Sequence, residues 1–425
     1  MSTKNDQIKK TMKATRERRS GMVCRVFETK IVSGKLSAEK KEHLDALFRE
    51  AKWLRNSELA KEDISLLDRN AKVASIKVGN DFELRPLEHL GSQMRQDIVD
   101  QIKSDIRGLA VLKAKGYKVG KLKFKPFCNM VPLRQYGTTF RIDFEKNAVS
   151  IQGFRKPFKV RGLKQIPSDS EISNAKIVRK PSGYYFHITT FCKKENVTDT
   201  GAVCGIDFGI GNNLTLDSGE TINISVPESK AVKLASRRVN KDLHRNGGIK
   251  SNNHYKRKAR LRRAYERQTN IKRDAANKAV SDLLKNYDFI AIQDEMIAGW
   301  HHGIFGKQVQ HSAMGFIKAK LKTSSKVHVV PRSFPSTQKC PVCGKNTKHK
   351  LSERSYHCAH CGYEHPSRDV KAAAMILSEA LYNVSPEQRA KSPVEARPSN
   401  LCHDNDVVTL AFVKVPPMKQ EAQVL

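Results

Sequence analysis

Apolar positions along this chain follow two rhythms, alternating and helical, and the changes between them mark its elements. Residues 22–32 alternate and predict a strand. Over 36–67 the period lengthens to that of a helix, with Leu44, Leu47, Phe48, Ala51, Leu54 and Leu59 in one stripe. Trp53 falls on the opposite face beside Arg49, Lys52 and Asn56, set either for packing on another domain or for a ligand. A polar linker over 71–81 leads to a second helical pattern over 90–114, whose stripe includes Met94, Ile98, Ile102, Ile106 and Leu109. Short alternating runs return from 132 to 192, separated by Lys-Asn, Gly and Pro turns. With the first strand they predict a small β-barrel-like domain into which the two helices are inserted.

The second half opens on an apolar run, 202–206, that delivers one carboxylate, Asp207. Gly209, Gly211, LTLD, a turn at Ser218 and Gly219, and ETINIS follow as a short antiparallel meander. A helical hairpin comes next, its first piece marked by Leu234, Val239 and Leu243, broken over 244–254 and resumed over 255–284. Ala276, Val280, Leu283 and Leu284 return its end to the core. The buried strand FIAI then ends in Gln293, Asp294 and Glu295, and period-2 alternation puts Gln293 and Glu295 on one face and Asp294 on the other. Further along come a helix over 309–321, a strand over 326–331 and a helix that begins at PSRDVKAAAMIL with Asp369 in its first turn. An acid there also complements the helix dipole. Strand-end acids in this order of elements resemble an RNase H-type core, in which carboxylates on neighbouring strands share metal ions.

Between the last strand and that helix, Cys340-x-x-Cys343 and Cys358-x-x-Cys361 stand fourteen residues apart, each pair followed by glycine. Two such knuckles suit a tetrahedral four-cysteine zinc site with no open position, hence a structural zinc ribbon; His357 and His360 are the competing ligands. Nine cysteines, four of them so arranged, argue for metal in a reducing compartment.

Charge narrows the partners. The 425 residues carry 78 Lys+Arg against 43 Asp+Glu, a formal net charge of +35, which predicts a polyanionic partner, nucleic acid before membrane. No apolar run approaches the ~18–20 residues that span a bilayer. Residues 1–20 read as a disordered basic arm. From Lys233 to Arg273 fifteen Lys/Arg meet two acids, Asp242 and Glu266. So unbalanced a run favours phosphate contact, with Lys256, Arg257, Arg260, Arg263 and Arg273 as candidates. The loop over 113–127 mixes lysines such as Lys123 with Tyr117, Phe124 and Phe127, suited to base stacking with backbone neutralisation or to a solvated loop with anchoring aromatics.

GIDFGIGN, NYDFIAIQDE and FPSTQKCPVCG…YHCAHCGYEHPSRDVKAAAMIL stand in the order that resembles the transposon-encoded TnpB nucleases and their descendants, the miniature type V CRISPR effectors. NIKRDAANKAV, KWLRN and GYKVGKLKFKPF extend the resemblance over most of 22–380, and SPVEARPSN and MKQEAQVL resemble the family's variable C-terminal extensions. The resemblance implies an α/β multi-domain protein, with an RNase H-like (RuvC) core over 200–336 and 363–380 that includes the basic hairpin 230–285. A zinc ribbon over 337–362 is inserted in it. A β-barrel-like wedge over 21–35 and 130–195 carries a helical recognition insertion over 36–129, and a variable tail runs over 381–425.

The implied activity is RNA-guided, Mg²⁺-dependent DNA endonucleolysis at one site, with Asp207, Glu295 and Asp369 holding two magnesium ions and zinc serving structure. Implied partners are a guide RNA and double-stranded target DNA, for a monomer or homodimer in the prokaryotic cytoplasm, near the nucleoid and off the membrane. Lys52, Trp53 and Asn56 are candidates for reading a short flanking motif. Two departures from the family pattern stand out. Gln293 occupies the place of the usual second acid, leaving Asp294 or Glu295 for the role, with alternation favouring Glu295. Lys371 replaces a more common Asn, either to neutralise phosphate or to sit in solvent. The alternatives are a cleavage-defective guide-programmed binder and an unguided transposon-associated nuclease.

Overall fold

In the computed structural model, residues 4–193, 200–245, 247–350 and 352–383 are described, and the chain divides into two units at residue 196. The N-terminal unit begins with α1 (Lys4–Ser20), where a disordered arm was expected. Its last turn is fastened by Arg18 and Arg19, both donating to the Glu171 carboxylate at 2.9 and 2.7 Å, and Arg19 also lies 4.2 Å from the centre of the Phe191 ring. That anchorage gives a polar helix one fixed end, which composition alone does not reveal.

β1 (Met22–Ile31) is followed by α2 (Ala38–Leu59), β2 (Val73–Val78), β3 (Asp81–Pro86) and α3 (Ser92–Ala114). Then come β4 (Met130–Leu133), β5 (Phe140–Asp143), β6 (Ala148–Ile151), β7 (Phe158–Arg161), β8 (Glu171–Lys180) and β9 (Gly183–Lys193). Seven of these strands make one sheet in the order β4-β8-β9-β1-β7-β6-β5. β1 pairs with β9 along Met22–Lys30 and passes to β7 at Lys30 and Ile31, so one strand joins both halves of the sheet. Leu133 and Ile177 from one half and Phe140, Ile151 and Phe158 from the other share a single core with the apolar stripes of α2 and α3. Ser37 caps α2 by accepting from the Lys40 amide, and Leu44, Leu47, Phe48, Ala51 and Leu54 are buried along it as their spacing requires. Leu59 is only partly buried. The expected polar linker over 71–81 is instead the β2–β3 hairpin: Gly79, at φ +63°, takes the first position of a two-residue turn that only glycine fills readily.

In the second unit β10 (Val203–Phe208), β11 (Leu214–Leu216) and β12 (Thr221–Ile222) form the meander. The basic hairpin is α4 (Lys230–Arg245) and α5 (Asn252–Asn286), and β13 (Phe289–Gln293) follows. The helix expected over 309–321 is broken: after α6 (Ile297–Trp300) come α7 (Gly306–His311) and α8 (Met314–Leu321), separated by an extended Ser312. β14 (Val327–Val330), the ribbon strands β15 (Tyr356–His357) and β16 (Glu364–His365), and α9 (Arg368–Tyr382) complete it. The sheet order is β12-β11-β10-β13-β14; β10 and β11 are antiparallel, while β13 runs parallel to both β10 and β14. Ala276, Val280 and Leu283 of α5 pack on one side of this sheet with Ile317 and Leu321 of α8. Ile376, Leu377 and Ala380 of α9 pack against Phe289, Ala291 and Val330. Among the described residues no helix is long and apolar enough to cross a membrane. The expected tail lies outside the described residues beyond Asn383.

Candidate nuclease site and metal centre

Asp207 stands near the end of β10, and α9 crosses that strand at very close range. A Cβ at Gly205 would lie 2.1 Å from the carbonyl oxygen of Ala373, so only glycine permits the approach. Ser367 caps α9 by accepting from the Val370 amide, which leaves Asp369 in the first turn, near enough for its charge to act on Asp207. β13 lies beside β10 with Ile292 opposite Ile206, and the chain leaving it supplies Asp294 and Glu295.

Burial, then the negative charge of Asp369, then that of Glu295, push the Asp207 carboxyl up to about 8, against the opposing pull of Arg368 and Lys371. The three acids thus form one electrostatic group although they come from three distant parts of the chain. Burial also raises Glu295, with Arg332 and Lys318 acting in the other direction. Asp294 behaves differently. Hydrogen bonds from Lys318 and Lys322 hold its carboxyl below the usual carboxylate range. The alternation argument for choosing between them does not apply, because the strand stops at Gln293 and the Glu295 amide donates back to the Gln293 carbonyl (2.9 Å), closing a tight turn. Their partners separate the two acids instead.

A residue that the sequence did not single out also reaches this group. Arg354, from the ribbon, brings its guanidinium within 3.9 Å of the Asp369 carboxylate, while its carbonyl accepts from the Arg368 amide at 2.6 Å. No local pattern marks it; the position depends on how the ribbon meets α9.

The four thiols converge tightly. Cys340 and Cys361 sulfurs are 3.6 Å apart, as are those of Cys343 and Cys358, close to the ~3.8 Å edge of a tetrahedron with ~2.3 Å zinc–sulfur bonds. All four sulfurs lie within 4.8 Å of one another, and among the described residues no other His, Cys, Asp or Glu cluster of three or more is so compact. The donor set fits a structural zinc ion. His357 is not needed as a ligand, since its Nδ1 pairs with Glu364 at 2.9 Å, and His360 is exposed. The ribbon's own core is only Cys340, Tyr356 and Cys358 with Cys343 and Tyr363 at its margin, too small to hold a fold without metal.

Lys371 neither faces solvent nor is free to meet phosphate. It is 2% exposed, donates to the carbonyl oxygens of Ser336, Thr337 and Lys339 at 2.9, 3.0 and 2.9 Å, and sits 3.9 Å above the Tyr356 ring. Gln293 is buried too.

The candidate nucleic-acid residues differ in exposure and surroundings. Lys256, Arg260 and Arg263 are exposed on α5, and Arg273 lies over the Phe316 ring at 5.5 Å. Arg257 is paired with Asp242 across the α4–α5 hairpin. In the N-terminal unit Tyr117 and Lys123 are exposed, while Trp53 is partly buried between the guanidinium groups of Arg49 and Arg85, at 5.8 and 5.3 Å from its ring. Lys52 is half-buried. Asn56 is already engaged: its amide donates to the Lys125 carbonyl (2.8 Å) and its oxygen accepts from the Lys125 amide (2.9 Å).

Two family models match this chain. Residues 182–299 match the "Probable transposase" model and residues 313–376 match the "Cas12f1-like, TNB domain" model. Among curated proteins, "Putative RNA-guided DNA endonuclease InsQ" of Escherichia coli (strain K12) is 26% identical over 233 residues, which covers 49% of this chain and 56% of that protein, so the match spans little more than half of the relative's length. The solved structure described as "mini-RNA-guided endonuclease CRISPR-Cas_phi3" aligns over 89% of this chain and 97% of that one, at 9% identity and a TM-score of 0.39, too loose a likeness to argue from.

Proposed function

We propose that this chain, which its two matched segments place in the TnpB family, is an RNA-guided DNA endonuclease with one acidic site formed by Asp207, Glu295 and Asp369. The observation that carries the reading is the raised Asp207 carboxyl, lifted by burial and by the charges of Asp369 and Glu295. Acids held in this way favour hard divalent cations, which relieve the repulsion between them. The 3-2-1-4-5 strand order, with α9 against the central strand, supports an RNase H-like core beneath them.

Asp207 on the central strand would be the shared ligand of a pair of Mg²⁺ ions, with Glu295 and Asp369 to either side. Bound there, such ions supply a polarised phosphate and a deprotonated water. Arg354 places positive charge beside Asp369, where a phosphate oxygen could meet it. Asp294, occupied by two lysines, acts as a support. The exposed cations of α5 and the lysine–aromatic loop near Lys123 would hold RNA or heteroduplex backbone, and Lys52 and Trp53 remain candidates for flanking-motif contact. Asn56 serves better as the fastening of that loop than as a reader.

A guide-directed binder that does not cut is the second reading. One observation favours it: Gln293 holds the strand position of the family's acid. One experiment separates the readings. RNA that co-purifies with the protein is sequenced, then supplied as guide with a randomised-flank DNA library and Mg²⁺. Cleavage that Asp207→Ala abolishes supports the nuclease. Guide-dependent retention of DNA without cleavage supports the binder, and cleavage that persists in Asp207→Ala overturns the site.

A further inference from the structure

Two side chains that flank the acids grip the same short segment. Gln293, two residues before Glu295, donates its amide hydrogens to the carbonyl oxygens of Pro331, Arg332 and Phe334 (3.3, 3.3 and 2.6 Å) and accepts from the Ser336 hydroxyl (2.8 Å). Lys371, two residues after Asp369, takes the carbonyls of Ser336, Thr337 and Lys339. Ser336 is therefore held from both sides, its hydroxyl by one residue and its carbonyl by the other. Both gripping side chains and Ser336 are almost wholly buried.

The segment from 331 to 339 joins β14 to the first knuckle and lies outside every strand and helix. Carbonyls with no ladder to join are costly to bury, and here the two amide hydrogens of Gln293 are shared among three of them while the ammonium of Lys371 takes three more; those of Pro331 and Phe334 also accept from the Phe334 and Ser336 amides. An ammonium has three donors, and all three of Lys371 are used. Its charge also lies over Tyr356, which is packed with Cys340 and Cys358 and donates its hydroxyl to the Gln338 carbonyl at 3.1 Å. A continuous line of buried contacts thus runs from the thiol cluster, through Tyr356 and Lys371, to the helix turn carrying Asp369. Through Ser336 and Gln293 it continues to the turn carrying Glu295.

We propose that the zinc-held ribbon sets the relative placement of Glu295 and Asp369 through this tether, with Gln293 and Lys371 as positioning residues. The coupling stands on the contacts alone; its consequence for cleavage rests on the nuclease reading. It also gives a physical reason for both departures from the family pattern, since neither side chain is available for the chemistry.

The test uses the full chain. Hydrogen–deuterium exchange is followed before and after zinc is stripped by a chelator under reducing conditions. We expect the amides of 291–295 and 368–372 to exchange about tenfold faster or more once zinc is removed, along with those of the ribbon. A change confined to 338–362 overturns the proposal. In zinc-loaded protein, Lys371→Met should loosen the same two turns or weaken zinc retention, because coupling is reciprocal. Ser336→Ala, which removes one hydroxyl bond, is the milder variant if the first folds poorly; unchanged exchange together with unchanged zinc overturns the idea. In cleavage assays both variants should need several-fold more Mg²⁺ for half-maximal rate while target DNA binds as before, and a loss in target affinity alone counts against positioning. If the unmodified chain with its guide never cuts, the nuclease reading fails while the exchange experiment still decides the coupling.

Discussion

Lys318 binds Asp294 through its ammonium, Nζ to Oδ1 at 2.8 Å, and donates as well to the main-chain oxygen of Glu295. One lysine thereby occupies the first acid and holds the peptide of the second, whose charge acts on Asp207. Asp294→Asn should leave guided plasmid cleavage within about tenfold of the unmodified protein, since Asp294 is itself exposed and its charge is already taken up by two lysines. Glu295→Gln should cost about 1,000-fold or more, as loss of a metal-holding carboxylate does. The reverse ranking would transfer the role to Asp294.

The raised Asp207 carboxyl makes metal-free stability depend on pH. An ordinary aspartate releases its proton near 3.8, whereas Asp207 in the folded protein keeps it to about 8. Between those values the folded state binds the extra proton, so stability is fully present below about pH 4 and declines as pH rises to about 8. Asp207→Asn has no such proton to lose. In chelated protein its unfolding free energy should match that of the unmodified chain near pH 4 and exceed it at pH 8, by up to about 5 kcal/mol. Parallel pH profiles for the two proteins would refute the burial of a reluctant acid.

Arg354 offers a test of the ribbon's contribution to the site. Its guanidinium is mostly exposed and 3.9 Å from Asp369, so removing it should barely alter the thermal midpoint. Arg354→Ala should nevertheless slow cleavage about tenfold or more with target affinity kept, as expected for a cation near developing phosphate charge. An unchanged single-turnover rate would make it a surface residue.

Much of this was legible in the sequence, and the exceptions have physical causes. The stripes of α2 and α3, the strand ends carrying Asp207 and Glu295, and the paired cysteine knuckles are local patterns, readable from period and spacing. The β2–β3 hairpin was also legible, through Gly79 and Asn80 between alternating runs, but its mixed polarity disguised it as a linker. α1, Arg354 and Lys371 were not. Each is defined by a partner far along the chain: Glu171 for α1, Asp369 for Arg354, and the carbonyls of 336–339 for Lys371. Lys371 misleads in particular, since a lysine's charge suggests water or phosphate until three carbonyls surround it.

Among the basic residues of α5, pairing predicts behaviour. Replacing Lys256 and Arg260 together with Ala should flatten the salt dependence of nucleic-acid binding by about two counter-ions without affecting folding. Arg257→Ala should instead lower the melting temperature, because it strands the largely buried Asp242 carboxylate. A double variant with unchanged salt slope would remove the helix from the binding surface.

Asn56 meets Lys125 as a neighbouring strand would, through one donor and one acceptor, and touches only main chain there. The segment around Lys125 is therefore suspended from α2 by a peptide group that every amino acid possesses. Its letters can be rewritten without disturbing the hook, so a lineage could exchange lysines and aromatics along it and acquire new tastes in nucleic acid while the scaffold behind stays as it was.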